Sequence, residues 1–199
     1  MDAQNPPQRY FIAELLLVAL LKNQNELMNL QPTLQNEIVQ IRPLTQDDFE
    51  GLYKAANDPK IWEQHPCKRN KRDEFEKFFT ESINSNGALA ILDLTTDTII
   101  GSSRYRLTEG FANGIEIGWT FLTRDYWGGK YNATVKQLMI KHAFKNVDHV
   151  LLYIAKENIR SQKAAEKIGG QLLGLSERPE IPRKSSEHLI FVVQKKNID

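Results

Sequence analysis

Cysteine is almost missing from this chain: Cys67 stands alone among 199 residues, so no internal disulfide can form. A reducing compartment, and hence a cytoplasmic location, is the expectation. The sequon-like Asn132-Ala133-Thr134 then carries no weight. Charge of one sign is equally scarce, with 26 Lys and Arg against 25 Asp and Glu and a formal net charge of +1. A general nucleic-acid or membrane-surface binder would carry a clear basic excess. Long hydrophobic runs are lacking too. The candidate, Tyr10–Leu21 ("YFIAELLLVALL"), has twelve residues and contains Glu14, whereas a membrane span needs roughly 20 apolar residues. It also makes a poor signal peptide, because Asp2 and Arg9 cancel ahead of it and no small-residue cleavage site follows. Metal-ligand spacing is absent: His65, His142, His149 and His188 are scattered, and His142 falls within an amphipathic stretch. No Cys-His-Asn pattern frames Cys67 as a nucleophile.

What is present suits one domain with an appendage. Residues 1–37 read as an N-terminal extension, an accessory helix followed by a linker ("NLQPT"), ahead of a domain over 38–199. "IVQIRPL" (38–44) alternates apolar and polar residues and reads as a strand. Thr45 then resembles an N-cap with Asp47 and Asp48 in a first turn, and Phe49, Leu52, Tyr53 and Ala56 share one helix face. A second helix is expected over 72–83. Strands at 88–94 and 98–107 flank a hairpin turn at Thr95-Thr96-Asp97. "GIEIGWTFL" (114–122) reads as a strand with Ile115, Ile117, Trp119 and Phe121 on one face. A helix follows Gly128-Gly129. "HVLLYIA" (149–155) is the continuous apolar run of a strand covered on both faces. A short helix over 158–168 and strands in "QLLGLSE" and "EHLIFVVQK" complete the order. The class is α/β of the mixed α+β kind, a mostly antiparallel front half and then a β–α–β crossover that sets "HVLLYIA" parallel to "GIEIGWTFL".

The crossover turn, "RDYWGGKYN" (124–132), holds the chemistry of interest. A helix N-terminus offers unpaired backbone N–H groups and about half a positive charge. Glycines just ahead of it let those amides approach a phosphate oxygen. Gly128, Gly129 and Lys130 supply these ingredients, although a Gly-Gly pair alone more often makes a plain turn. Neither the Walker spacing nor a three-glycine dinucleotide fingerprint is met.

Four stretches, in order, resemble the GNAT superfamily of N-acetyltransferases, most of all its ribosomal-protein alanine acetyltransferase-like (RimJ/RimL) branch. They are "IVQIRPLTQDDFEGLYKAANDP", "IIGSSRYR", "IEIGWTFLTRDYWGGKYNATVKQLMIKHAF" and "ENIRSQKAAEKIGG", and the resemblance runs from Ile38 to the C-terminus, about four-fifths of the chain. The resemblance implies a twisted, mostly antiparallel mixed sheet flanked by helices, with the two parallel strands splayed to admit coenzyme A. It implies acetyl-CoA as co-substrate, no metal, and a primary amine as acceptor: a protein N-terminus, an amino acid or a small amine. The partners it implies are acetyl-CoA and that amine, with no nucleic acid and no membrane, on a monomer or homodimer. Cofactor contacts are carried over to Trp119, Phe121, Trp127, Gly128, Gly129, Lys130, Tyr131, Asn132, Ala133 and Asn158. Two positions depart from the family's Gln/Arg-x-x-Gly-x-Gly/Ala turn: Lys130 stands at the usual glycine and Asn132 at the usual Gly/Ala. Lys130 either crowds the pyrophosphate or pairs with it.

An ammonium has no free lone pair, so amine acetylation needs a base. Glu116, opposite in phase to Ile115 and Ile117, is the candidate, with a solvated strand residue as the plainer reading; His65 is second. Ser161 is the candidate proton donor to the leaving thiolate, or else a solvated first-turn serine. Asn158 reads both as an N-cap and as a pantetheine contact. Tyr126, Trp127 and Tyr153 read first as core anchors. Trp62, Glu63, His65 and Arg69 are placed near the acceptor by location. The alternatives are a non-catalytic acyl-CoA-binding or regulatory GNAT-like domain, and an interaction module whose glycines only turn the chain.

Overall fold

The computed structural model describes residues 28–65, 67–108, 111, 113–174 and 188–197; the expected accessory helix over 10–21 lies outside them. In chain order the elements are β1 (Leu34–Gln35), β2 (Val39–Pro43), α1 (Phe49–Ala56), α2 (Arg72–Asn84), β3 (Ala88–Asp93), β4 (Thr98–Leu107), β5 (Gly114–Leu122), α3 (Lys130–Ala143), β6 (His149–Ala155), α4 (Ile159–Lys167), β7 (Gln171–Leu172) and β8 (His188–Gln194). The strands form one eight-stranded sheet in the order β1-β2-β3-β4-β5-β6-β8-β7. Every neighbouring pair is antiparallel except β5 and β6. Thr45 is an N-cap as the sequence places it, but of a 3-10 turn, and α1 itself begins later, at Phe49. Asp48 accepts from the Thr45 backbone N–H at 2.8 Å, and Arg42 grips the same carboxylate at 2.8 and 2.6 Å. The chain enters α1 through a 3-10 turn over Gln46–Asp48.

Two apolar layers cover the sheet. One packs α3 residues Val135, Met139, Ile140 and Ala143 against Ile115 and Ile117; the other packs α1 and α2, through Leu52, Phe75, Phe78 and Phe79, against Ala88, Ala90 and Phe121. Part of the N-terminal segment joins the first layer. Met28 is buried there, the Asn29 carbonyl accepts from His142 Nε2 at 2.8 Å, and β1 pairs with β2. The strand expected in "QLLGLSE" is ordered at Gln171–Leu172, and its last three residues lie outside the described residues. Among the described residues no helix is long and apolar enough to cross a membrane.

Two irregularities shape the centre. First, β5 and β6 pair only at Gly114–His149, Ile115–Val150 and Glu116–Leu151, while β6 pairs with β8 along its full length. Beyond these three pairs the parallel strands part, making a V with Glu116 at its apex. Both α3 and α4 begin beyond the open ends of these strands, so two helix N-termini face the crevice at the strands' carboxyl ends. Second, Ser102 pairs with Phe121 and Arg104 with Gly118, so Ser103 alone faces both Trp119 and Thr120. This is a β-bulge, with Trp119 in the left-handed region at φ 53°. The extra residue reverses the phase of the strand. Ile115 and Ile117 therefore face α3, but Trp119 and Phe121 join the α1/α2 layer instead of sharing their face as the alternation predicts.

Candidate active site

The turn at the mouth of the V is held by its aromatic residues. Tyr126 and Tyr131 pack edge to face at 4.7 Å and both donate to the buried Asp93 carboxylate, at 2.9 and 3.3 Å. Trp127 donates from Nε1 to the Leu122 carbonyl at 2.8 Å, and the Arg160 guanidinium of α4 lies 3.9 Å from its ring centroid. Trp127 and Tyr131 thus anchor the turn with their side chains, and the Trp127 backbone N–H, which the resemblance assigns to the cofactor, donates instead to the Arg124 carbonyl at 2.9 Å. Gly128 sits at φ +70°, a conformation that favours glycine, and a Cβ at Gly128 or Gly129 would meet nothing within 4 Å. Gly129 is the N-cap of α3 and no side chain caps the helix. The first N–H groups of α3 therefore have neither an intrahelical nor a side-chain partner, and they open onto free space. This is a fit for a pyrophosphate: orphan donors, the positive end of a 14-residue helix, and the exposed Lys130 at its first position. Asn132 is half-buried and Ala133 exposed beside it. Across the mouth, Asn158 caps α4 by accepting from the Ser161 N–H at 3.1 Å, a contact worth about 1 kcal/mol. Ser161 is half-buried at the start of that helix.

Glu116 is 4% exposed, which removes the solvated reading of this position. Arg106 donates from Nε and Nη2 to the same oxygen, Oε2, at 2.8 and 2.5 Å. The other oxygen, Oε1, lies over Gly118, where an added Cβ would sit 2.9 Å from it. Burial raises the Glu116 carboxyl above the ordinary glutamate range, and the Arg106 guanidinium offsets part of that rise. A buried carboxyl of this kind holds its proton to higher pH than a solvated glutamate.

Three further groups close on the apex, and residue types alone did not mark them. Tyr153 on β6 reads from sequence as core, yet its phenolic oxygen is buried without a hydrogen-bond partner; burial and the Glu116 charge push it up to about 12. Lys136 of α3 is 8% exposed and donates to Thr120 Oγ1 at 2.7 Å; that hydroxyl is also 2.7 Å from Ser103 Oγ. Burial pushes the lysine down to about 7 against the pull of Glu116. Its signal was available, since Lys136 occupies the buried stripe shared by Met139, Ile140 and Ala143. Arg104 of β4 is 6% exposed, its guanidinium 4.4 Å from the Trp119 ring centroid.

The residues expected at the acceptor divide. Trp62 is 2% exposed and donates to the Ala56 carbonyl at 2.8 Å, so it is a core side chain. Glu63 is exposed. His65 packs edge-on against Trp62 and accepts from the Cys67 N–H through Nδ1 at 3.0 Å; burial and the nearby Arg69 lower it to about 4, leaving it neutral at pH 7. Arg69 is 9% exposed, 4.2 Å from the Phe78 ring centroid and 5.4 Å from that of Trp62. The Phe121 side chain is buried against Trp62 and Phe78 rather than in the crevice. One face of the apex thus gathers Glu116, Trp119, Arg69 and Arg104. The turn 127–133, Asn158 and Ser161 lie at the mouth.

Residues 39–171 match the acetyltransferase (GNAT) domain family, more than half of the chain, and the chain belongs to that family. Solved structures share its fold. A GCN5-related N-acetyltransferase from Brucella melitensis superposes with a TM-score of 0.71 at 18% identity, covering 84% of this chain and 80% of that one. The acetyltransferase from Agrobacterium tumefaciens gives 0.65 at 24%, over 82% and 95%. Mycobacterium smegmatis RimJ, in complex with CoA-disulfide, gives 0.60 at 14%, over 84% and 88%. Acetyl transfer to an amine is the activity that family membership carries, and the chain is an N-acetyltransferase.

Proposed function

We propose that residues 38–199 form an acetyl-CoA-dependent N-acetyltransferase domain of the RimJ/RimL type, cytoplasmic, that passes acetyl directly to a primary amine. The observation that carries this reading is Glu116 at the apex of the parted strands, buried, with one oxygen held by Arg106 and the other lying over Gly118. Acetyl-CoA would supply the activated thioester. Backbone amides from Gly128 to Ala133 would hold its pyrophosphate, with Lys130 adding a charge, while Asn158 would meet the pantetheine arm. Glu116 takes a proton from the attacking amine as the nitrogen bonds the acetyl carbon and the carbon–sulfur bond breaks. Ser161 gives its hydroxyl proton to the sulfur and is reprotonated by water, and Glu116 releases the amine's proton to solvent. Backbone N–H groups at the splayed, bulged part of β5 steady the charge that develops on the carbonyl oxygen. The work is approximation plus preorganised electrostatics.

Thermal unfolding tests the cofactor half. Acetyl-CoA at about 100 times its Kd should add about 2.7 kcal/mol of stability, roughly 5–10 °C for a chain of this size. Lys130→Gly should keep a shift but a smaller one, with affinity several-fold weaker and less sensitive to salt. No shift at millimolar acetyl-CoA contradicts the reading. An undiminished shift in Lys130→Gly assigns the phosphate to the backbone alone.

A further inference from the structure

We propose that the acceptor amine carries a carboxylate, received beside Glu116 by the buried guanidiniums of Arg69 and Arg104. The proposal rests on the acyl-transfer reading for the reaction, but not for the binding of the anion. Both arginines are more than nine-tenths buried, yet among the described residues neither has a carboxylate within ion-pair distance. Among the described residues the ion pairs engage Arg42, Arg72, Lys77, Arg106 and Arg124 instead. Arg104 donates from Nη2 to Ser82 Oγ, while its buried Nε has no acceptor. Burying an unpaired ion is costly. The aromatic faces return only part of that cost.

The two cations also share a support. Their guanidinium carbons lie 4.2 and 5.9 Å from the Phe78 centroid, on a ring common to both. Burial, with Arg69 nearby, pushes Arg104 down to about 10, and burial lowers Arg69 as well. Cys67 is the first neighbour that favours the charged Arg69, ahead of Glu81 and Glu74; Glu74 is paired with Lys77 and Glu81 is exposed. The face around Glu116 therefore holds Arg69, Arg104 and Arg106, and the acids that act on Arg104 are the exposed Glu81 and Glu116 itself. A polycationic amine is a poor occupant for such a face; an amine bearing an anion suits it. A guanidinium presents its N–H groups in one plane, which matches a planar carboxylate. Arg104 and Arg106 flank the same Trp119 ring, at 4.4 and 4.9 Å, and Arg106 holds Glu116. Anion and amine are thus about one ring apart. That suits a free amino acid, or a peptide whose first residue is Asp or Glu.

The test is binding to the full chain, by calorimetry, with and without saturating CoA. Glycine, β-alanine and glutamate are compared with their amides, and tripeptide amides beginning with Asp or Glu with those beginning with Asn or Gln. The acids should bind at least tenfold tighter than the matched amides, and the better of the two sets identifies the source of the carboxylate. Arg69→Met and Arg104→Met should bring that ratio near one, while the acetyl-CoA shift stays as in the parent. Should Arg104→Met fail to fold, Arg69→Met carries the comparison and Arg69→Lys should recover part of the preference. Equal binding of acids and amides by the parent overturns the proposal, as does undiminished preference in a folded variant or tighter binding of phosphoethanolamine than of every carboxylate. Acid-selective binding without any thiol release from acetyl-CoA would instead sink the transferase reading and leave the anion site standing.

Discussion

Glu116→Gln should lower kcat by about 10²–10⁴, the range that a positioned general base contributes, and leave the acetyl-CoA thermal shift intact. The substitution keeps shape and an acceptor for Arg106 but loses the proton affinity. Arg106 is 44% exposed, so it can be solvated once its partner is neutral, and the fold should suffer little. The pH profile gives a second readout. Because burial raises the Glu116 carboxyl, the rate should climb with pH as it ionises, through a limb above the ordinary glutamate range. Arg106→Met removes the group that holds it down, so that limb should move to higher pH. If Glu116→Gln stays within a few-fold of the parent, the proton goes elsewhere and the Glu116–Arg106 pair is structural. His65→Ala would be the next variant to measure.

The second large effect is on stability. Lys136 is buried, among the described residues with only the Thr120 hydroxyl as hydrogen-bond acceptor, and its ammonium is pushed down to about 7 from 10.5. Between those values the unfolded chain binds more protons than the folded one, so this group makes stability rise with pH from about 7 to about 10.5. At and below pH 7 the folded state carries nearly the full penalty. Lys136→Met should therefore stabilise the protein near pH 7, by on the order of 3–4 kcal/mol, and flatten the rise above it. Thr120 keeps its bond to Ser103, and the charge that Glu116 loses as a neighbour is its weaker influence here. Urea midpoints at about pH 6.5, 8 and 9.5 check the sign. A variant less stable at every pH would mean that the lysine has a partner that compensates its burial.

Much of this architecture follows from periodicity. The strand limits at 98–107, 114–122 and 149–155, the N-cap at Asn158 and the parallel crossover all stand where apolar spacing and turn residues place them. The site was legible where chemistry coincides with backbone punctuation, as at Gly128-Gly129, or with a break of phase, as at Glu116. It was illegible where partners come from elsewhere in the fold. The bulge at Trp119 leaves the local alternation looking regular, because a bulge is set by pairing with Ser103 and not by the residue itself. Arg104 reads as an ordinary strand residue until Phe78 and Trp119 are seen to bury it. Tyr153 looks like core because its ring is, and only the unpaired hydroxyl near Glu116 says otherwise. Met28 joins the core although the segment around it has the composition of a linker.

The most direct test of the central claim is thiol release from acetyl-CoA by the intact chain, measured against amine concentration with the acetylated amine identified by mass. The account predicts release that saturates with amine, matches acetylated product one for one, and falls with Glu116→Gln. Tight binding of acetyl-CoA with no amine-dependent release, across neutral, cationic and carboxylate-bearing amines alike, would contradict it and make this a domain that holds the coenzyme without using it.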